Sequence, residues 1–373
     1  MNNTTTIERS QHTAELSGEM LRKEIKEMWR DVFPVTDEWL DMYFRRVYSQ
    51  ADLLTLTAGD DDDEIVSSLL LQRYNMYFHS MPIPVGYISG AATRKQYRDR
   101  GYMKQLMHDA IFSSYERGDA LLTLIPASRN LYFYYDRLGF TTVFYVDEER
   151  FTEKHEFAFD GKYERVEAKE NHDVYQFMDS KLKERDNVIL HSYIDFQNII
   201  ADAEADGGAV IALRDMTDGR IAALAVVAPG DDRLTVRELL YTTDDACNAV
   251  LARVMRAYPG LPLTVVMPAG SRSVPIHARG MARIVNARKL LSAYASRYPK
   301  LRMVIRLYDS VLPQNNHIYV IDGGQAVIND GFGGKIDLDV TQEVLLSILS
   351  SDAPIGEIFN MPTSRPYISM MMD

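Results

Sequence analysis

Arg98, Asp99, Arg100 and Gly101 stand where an apolar run ends and an amphipathic one begins, in the segment Ala91-Ala-Thr-Arg-Lys-Gln-Tyr-Arg-Asp-Arg-Gly-Tyr-Met103. Two guanidinium groups beside a glycine at such a junction suit an anion, above all a phosphate. After them Met103, Leu106, Met107, Ala110, Ile111 and Tyr115 recur at helical spacing, and Gly118 follows as a stop. A helix starting there leaves its first backbone N–H groups unpaired and turns the positive end of its dipole to the same spot. Arg98, Asp99, Arg100, Gly101, Tyr102 and Met103 therefore form a candidate phosphate cradle. The strand predicted to feed it, Pro84 to Thr93, holds neither Asp nor Glu, so a general base has to come from elsewhere.

Beyond the helix, Leu121 to Pro126 reads as a strand, and Ala-Ser-Arg-Asn opens a second helix with Phe133, Tyr134, Tyr135, Asp136, Arg137, Leu138, Gly139 and Phe140. On these residues the chain resembles the GNAT acetyltransferase superfamily, whose acyl-CoA motif is Arg or Gln, two residues, Gly, one residue, then Gly or Ala. Arg98, Arg100 and Gly101 match that motif, and Met103 stands at its second small position. The run ending in Gly139-Phe140 looks like the Phe-Tyr-x-x-x-Gly-Phe signature that follows the fifth strand in many of these enzymes. Within the superfamily the chain is similar to the enhanced intracellular survival (Eis) group, which joins extra domains to the first.

That resemblance implies acetyl-CoA as co-substrate and a primary amine on a small molecule as acceptor. It implies that Ala91, Ala92 and Thr93 pair their backbone with pantetheine along a splayed strand, and that Arg98 to Met103 hold the pyrophosphate. Tyr135 matches the family's general acid, and the terminal carboxylate, carried by Asp373, matches the group that the family threads back into the first domain as base. The two leading helices, with Phe33, Asp37 and Trp39, would wall the acceptor pocket; core packing accounts for the tryptophans equally well. Members of the group form homo-oligomers, and the same is expected here.

The chemistry agrees with these roles. Acyl transfer from a thioester needs an unprotonated amine and the return of a proton to the leaving thiolate. A phenol of pKa about 10 can protonate a thiolate whose conjugate acid lies near about 8.5 when the two are hydrogen-bonded in the transition state. A carboxylate of free pKa about 3.5 needs burial, here beside Met370, Met371 and Met372, or a bridging water, to serve as base.

The chain of 373 residues has room for two or three domains. A net charge of −12 speaks against a nucleic-acid partner and leaves room for cationic acceptors such as aminoglycosides. There is no long apolar stretch for a membrane and no apolar signal core after Met1, and Cys247 is the lone cysteine, so a cytoplasmic protein is expected. The eight histidines show no ligand spacing, and no metal is expected.

Along the chain, residues 1 to about 16 are polar, and helices are predicted from Met20 to Val32 and from Thr36 onward. Strands Leu53 to Thr57 and Ile65 to Tyr74 flank the acidic run Asp60 to Glu64, read as a hairpin turn. The second half repeats the order with strands at 209–214, 221–228, 234–241 and 263–267 and a helix at 245–258, but Asp244 and Asp245 occupy the turn where a phosphate would sit. The predicted fold is α/β (α+β): two tandem GNAT-like mixed-sheet domains followed by a sterol-carrier-like α+β domain. Residues 1–150 would be catalytic, 151–278 a second GNAT-like unit without a cofactor site, and 279–373 the sterol-carrier-like unit. Two other readings stay open: a hydrophobic-ligand-binding protein working through its C-terminal domain, and an acyltransferase of the same fold acting on protein or peptide amines.

Overall fold

In a computed structural model, residues 18–58, 64–270 and 276–372 are described; the polar N-terminus, the acidic residues 60–63 and Asp373 lie outside them. Two amphipathic helices lead. In α1 (Gly18–Val32) the stripe Leu21, Ile25, Met28 and Trp29 is buried, and α2 (Asp37–Arg46) starts where the Thr36 hydroxyl accepts from the Trp39 N–H at 3.1 Å. Strands β1 (Leu53–Ala58), β2 (Glu64–Phe78) and β3 (Met81–Thr93) then run antiparallel in order. Helix α3 (Tyr102–Arg117) crosses over to β4 (Leu121–Leu124), which lies parallel to β3. Gly118, at φ +82°, ends the helix and satisfies the carbonyls of Ser114 and Tyr115. Helix α4 (Arg129–Asp136) and β5 (Thr141–Phe151) follow.

The sheet does not close within this first unit. Strand β12 (Ile276–Ile284) inserts between β4 and β5, antiparallel to both. On its other edge β5, from Val146 to Phe151, pairs with β11 (Leu263–Pro268). Through β11 the sheet continues into β10 (Leu234–Tyr241), β9 (Ile221–Pro229), β8 (Ala209–Asp215) and β6 (Tyr163–Val166). The short β7 (Val188–Leu190) adds to β2, and the result is one 12-stranded sheet. Helices α5 (His172–Lys183), α6 (Tyr193–Ala205) and α7 (Asp244–Ala257) pack on its second half.

The boundary expected at residues 150/151 falls at the end of a strand common to both halves, and that at 278/279 falls inside β12. The reason is hydrogen bonding: β12 fills the gap between β4 and β5, and each flanking strand satisfies one of its edges. Beyond it, α8 (Ala287–Arg297), a four-stranded sheet β13 (Met303–Tyr308), β14 (Ile318–Asp322), β15 (Gln325–Ile328) and β16 (Leu338–Thr341), α9 (Gln342–Leu349) and α10 (Ala353–Phe359) form an α+β unit. Its core is continuous with the first unit: Val85, Tyr87 and Ile284 share one cluster with Leu290, Tyr294, Ile305 and Leu346.

Candidate active site

The site begins where two parallel strands part. Strand β4 stops at Leu124, opposite Ile88, while β3 runs on through Ser89 to Thr93 with β2 alone beside it. A bulge sits at this point: Ser68 pairs with Ala92 and Leu70 with Ser89, so Gly90 and Ala91 together oppose Leu69. Gly90 has φ +59°, and a Cβ there would lie 1.7 Å from Trp29 Cζ2, so no residue but glycine fits under the indole. The backbone of Ala91, Ala92 and Thr93 is left with an open edge toward β4, which is what an extended ligand needs in order to add as a strand.

The same strand delivers the basic turn. Asp99 and Gly101 adopt positive φ, +62° and +88°, and nothing lies within 4 Å of a Cβ built on Gly101, so its glycine serves backbone conformation and not packing. The first backbone bond of α3 runs from the Gln105 N–H to the Gly101 carbonyl at 3.0 Å, and no side chain caps the helix. Among the described residues the N–H groups of Gly101, Tyr102, Met103 and Lys104 thus have no protein partner, an anion site built from backbone. Arg98 and Arg100 are exposed and carry no carboxylate partner among the described residues; Arg98 Nε reaches the Thr93 carbonyl at 3.2 Å, and Arg100 lies over the Tyr97 ring.

The second unit offers an internal comparison. There β10 and β11 run parallel over Leu234–Val236 and then diverge, and α7 starts in the corresponding turn. Its start is capped by the Thr243 hydroxyl, which accepts from the Ala246 N–H, and the Asp245 carboxylate accepts from the Asp160 N–H at 3.0 Å. Phe151, His155 and Phe157 pack against one another, tilted or edge-on, beside a cavity of about 170 Å³. Two carboxylates and a side-chain cap occupy the position that α3 keeps open.

Tyr135 lies beside the strand divergence. It is buried with Ile88, Leu106, Met107, Leu122 and Leu124, and Ala91, Met103 and Tyr134 pack at the edge of the same cluster. The structure therefore brings together the open strand, the start of α3 and the tyrosine of α4. Burial pushes the Tyr135 phenol up to about 12, with the neighbouring Tyr134 adding to it, and pushes Tyr134 up to about 12 as well. Both phenols hold their protons at neutral pH. The Tyr134 hydroxyl is buried and has no hydrogen-bond partner among the described residues.

The leading helices cover the other face. Trp39 is buried, stacks on Tyr43 with ring centroids 4.9 Å apart and donates its indole N–H to Asp202 of α6 at 2.8 Å. Phe33 is half-buried, edge-on to Trp29. Asp37 is exposed, and its carboxylate pairs with Arg30 at 2.7 Å. Sequence reasoning missed Ser89, which links Tyr43 (3.0 Å) to Gln72 (3.1 Å) directly before the bulge; a lone serine in an apolar strand was its one signal.

The tail arrives at this face too. Tyr367 exchanges backbone bonds with Asn187 and Ile189, Ser369 donates to the buried Glu238 at 2.6 Å, and His191 Nε2 meets the Ser369 carbonyl at 3.1 Å. Met372 then buries itself with Trp29, Trp39, Tyr43 and Ala92. Asp373 itself lies outside the described residues. Among those residues no group of His, Cys, Asp and Glu gathers as metal ligands, and no helix is long and apolar enough to cross a membrane.

The family model for the acetyltransferase (GNAT) domain matches residues 18–143, the stretch that carries the open strand, the basic turn and Tyr135. Over this stretch the chain is similar to acetyltransferase (GNAT) domains. Solved structures share the fold over nearly the whole chain. A GCN5-related N-acetyltransferase from Anabaena variabilis is similar at a TM-score of 0.75 and 13% identity, covering 94% of this chain and 97% of that one. A probable N-acyltransferase from Enterococcus faecalis is similar at 0.72 and 16%, with 95% and 97% covered, and Eis1 from Mycobacterium abscessus at 0.70 and 11%, with 95% and 98% covered. No curated protein matches the chain by sequence.

Proposed function

We propose that the protein is an acetyl-CoA-dependent N-acetyltransferase that modifies a primary amine of a small, cationic acceptor. The observation that carries this reading is the uncapped start of α3, with four free N–H groups, two unpaired arginines and an open strand edge converging beside a buried, protonated tyrosine. The residues fit the donor: Arg98 to Met103 would hold its pyrophosphate and Ala91, Ala92 and Thr93 its pantetheine. Bound acetyl-CoA would supply a thioester carbonyl to attack. An N–C bond forms, the C–S bond breaks, the amine gives up a proton and the sulfur takes one.

Tyr135 Oη would give the sulfur that proton, and solvent restores it afterwards. Asp373, the residue after the buried Met372, is the proposed source of the carboxylate that accepts the ammonium proton, directly or through water. An overall charge of −12 supports a cationic acceptor. The capped, acidic start of α7 supports a second unit without a cofactor site, and the order of the C-terminal elements supports a sterol-carrier-like unit there.

The test is steady-state kinetics of Tyr135→Phe with acetyl-CoA and an amine acceptor found by screening. Loss of one general acid costs on the order of 100-fold in kcat, about 2.7 kcal/mol, with acetyl-CoA affinity retained. Turnover equal to the intact protein's removes Tyr135 from the mechanism.

A further inference from the structure

We propose that Gln342 and Arg283, both contributed by the C-terminal part of the chain, are positioning residues for Tyr135. The proposal rests on the reading of Tyr135 as proton donor. Helix α4 has eight residues, too few to hold its own shape or direction. Its first turn has no side-chain cap, and Phe133 on its outer face is 69% exposed. Leu131, Tyr132, Tyr134 and Tyr135 pack it into the core, and buried side-chain hydrogen bonds hold it at its other end.

There the chain wraps onto the tyrosine: the N–H groups of Leu138 and Phe140 both donate to the Tyr135 carbonyl, at 2.9 and 3.2 Å. The outward carbonyls of that turn are gripped in sequence. Arg283 Nη1 donates to the Leu138 carbonyl at 2.6 Å, and Gln342 Nε2 donates to the Gly139 carbonyl at 2.5 Å. Gly139 has φ +79°, and a Cβ on it would meet Arg283, Gln342 and Glu343 at 3.0 Å each, so the grip requires the glycine.

The donors are themselves immobilised. Both side chains are fully buried. Arg283 Nη2 binds both oxygens of Asp309, at 2.9 and 2.7 Å, and Asp309 also accepts from the N–H groups of Val311 and Leu312 and from Asn315. Gln342 Oε1 accepts from the Ile284 N–H at 2.8 Å, which ties α9 to β12. A buried ion pair adds little net stability, because desolvating two ions offsets most of their attraction, and an apolar pair of the same volume would serve the core as well. An apolar pair in place of Arg283 and Asp309 would leave the Leu138 carbonyl of the tyrosine's turn unheld. A displacement of about 1 Å at a reacting group is enough to cost on the order of 100-fold in rate.

The experiment is a double-mutant cycle in the full-length chain. Gln342→Met removes the grip on Gly139 at nearly constant volume. The expected result is a fall in kcat of about tenfold, an unchanged Kd for acetyl-CoA by isothermal titration, and a Tyr135→Phe, Gln342→Met protein no slower than Tyr135→Phe alone. Losses that multiply in the double variant, or a loss of acetyl-CoA affinity that tracks kcat, would reduce Gln342 to a structural residue and overturn the proposal. Full activity in Gln342→Met beside an impaired Tyr135→Phe overturns the positioning role alone. Full activity in Tyr135→Phe overturns the donor reading and the positioning role with it. If Gln342→Met does not melt cooperatively, Arg283→Lys carries the same cycle, since a lysine keeps the charge opposite Asp309 and loses the second arm to Leu138.

Discussion

In the proposed reaction Tyr135 would hold the proton for the leaving thiolate, and its ring is buried with Ile88, Leu106, Met107, Leu122 and Leu124. With its phenol pushed up to about 12, the protonated form persists well above neutrality. A raised pKa on an acid that acts in its protonated form moves the loss of activity to higher pH, so the phenol causes no decline in kcat between pH 7 and 10. The profile is expected to rise as the amine deprotonates and then to stay level to pH 10. A fall near pH 8 or 9 that disappears in Tyr135→Phe would contradict the burial argument. Single residues were legible to different degrees. Tyr135 is singled out by the family resemblance of the run ending in Gly139 and Phe140, since its residue type alone reads as one more core aromatic, and Gly101 by the basic turn around it. For Asp37 and Trp39 helical spacing gave the element but not the partners: Arg30 pairs with the carboxylate and Asp202, 163 residues away in sequence, accepts from the indole N–H.

Elements with a strong local pattern read almost to the residue. The predicted strand at 84–93 is β3 at 81–93, and the helix with the Met103, Leu106, Met107, Ala110, Ile111 stripe is α3. Strands β5 and β12 were not legible. In β5 the acids and arginine of Asp147-Glu-Glu-Arg150 break an apolar alternation, and in β12 two arginines and a glycine do the same. Both strands owe their conformation to partners distant in sequence, β12 being paired with residues more than a hundred positions earlier. One consequence can be measured. A chain ending after Gly270 lacks β12 and the helices behind it, and exposes the facing edges of β4 and β5. Such a fragment is expected to melt without a cooperative transition and to bind no acetyl-CoA. A cooperative melt like that of the full chain would show that the first unit stands alone.

At the scale of the whole molecule, the two halves share one sheet and hold opposite versions of one turn. The first start of helix is open and flanked by arginines, and the second is capped and acidic. The later parts of the chain return to the first unit three times: β12 completes its sheet, Arg283 and Gln342 grip the tyrosine's turn, and the tail runs along β7 to bury Met372 against Ala92. The proposed donor site would thus be served by nearly all of the fold. The most direct test is isothermal titration of acetyl-CoA into the intact protein and into an Arg98→Glu, Arg100→Glu variant. The expected result is about one molecule bound per chain in the micromolar range, weakened at least tenfold in the variant. No binding by the intact protein, two sites per chain, or equal affinity in the variant would contradict a donor site at the start of α3.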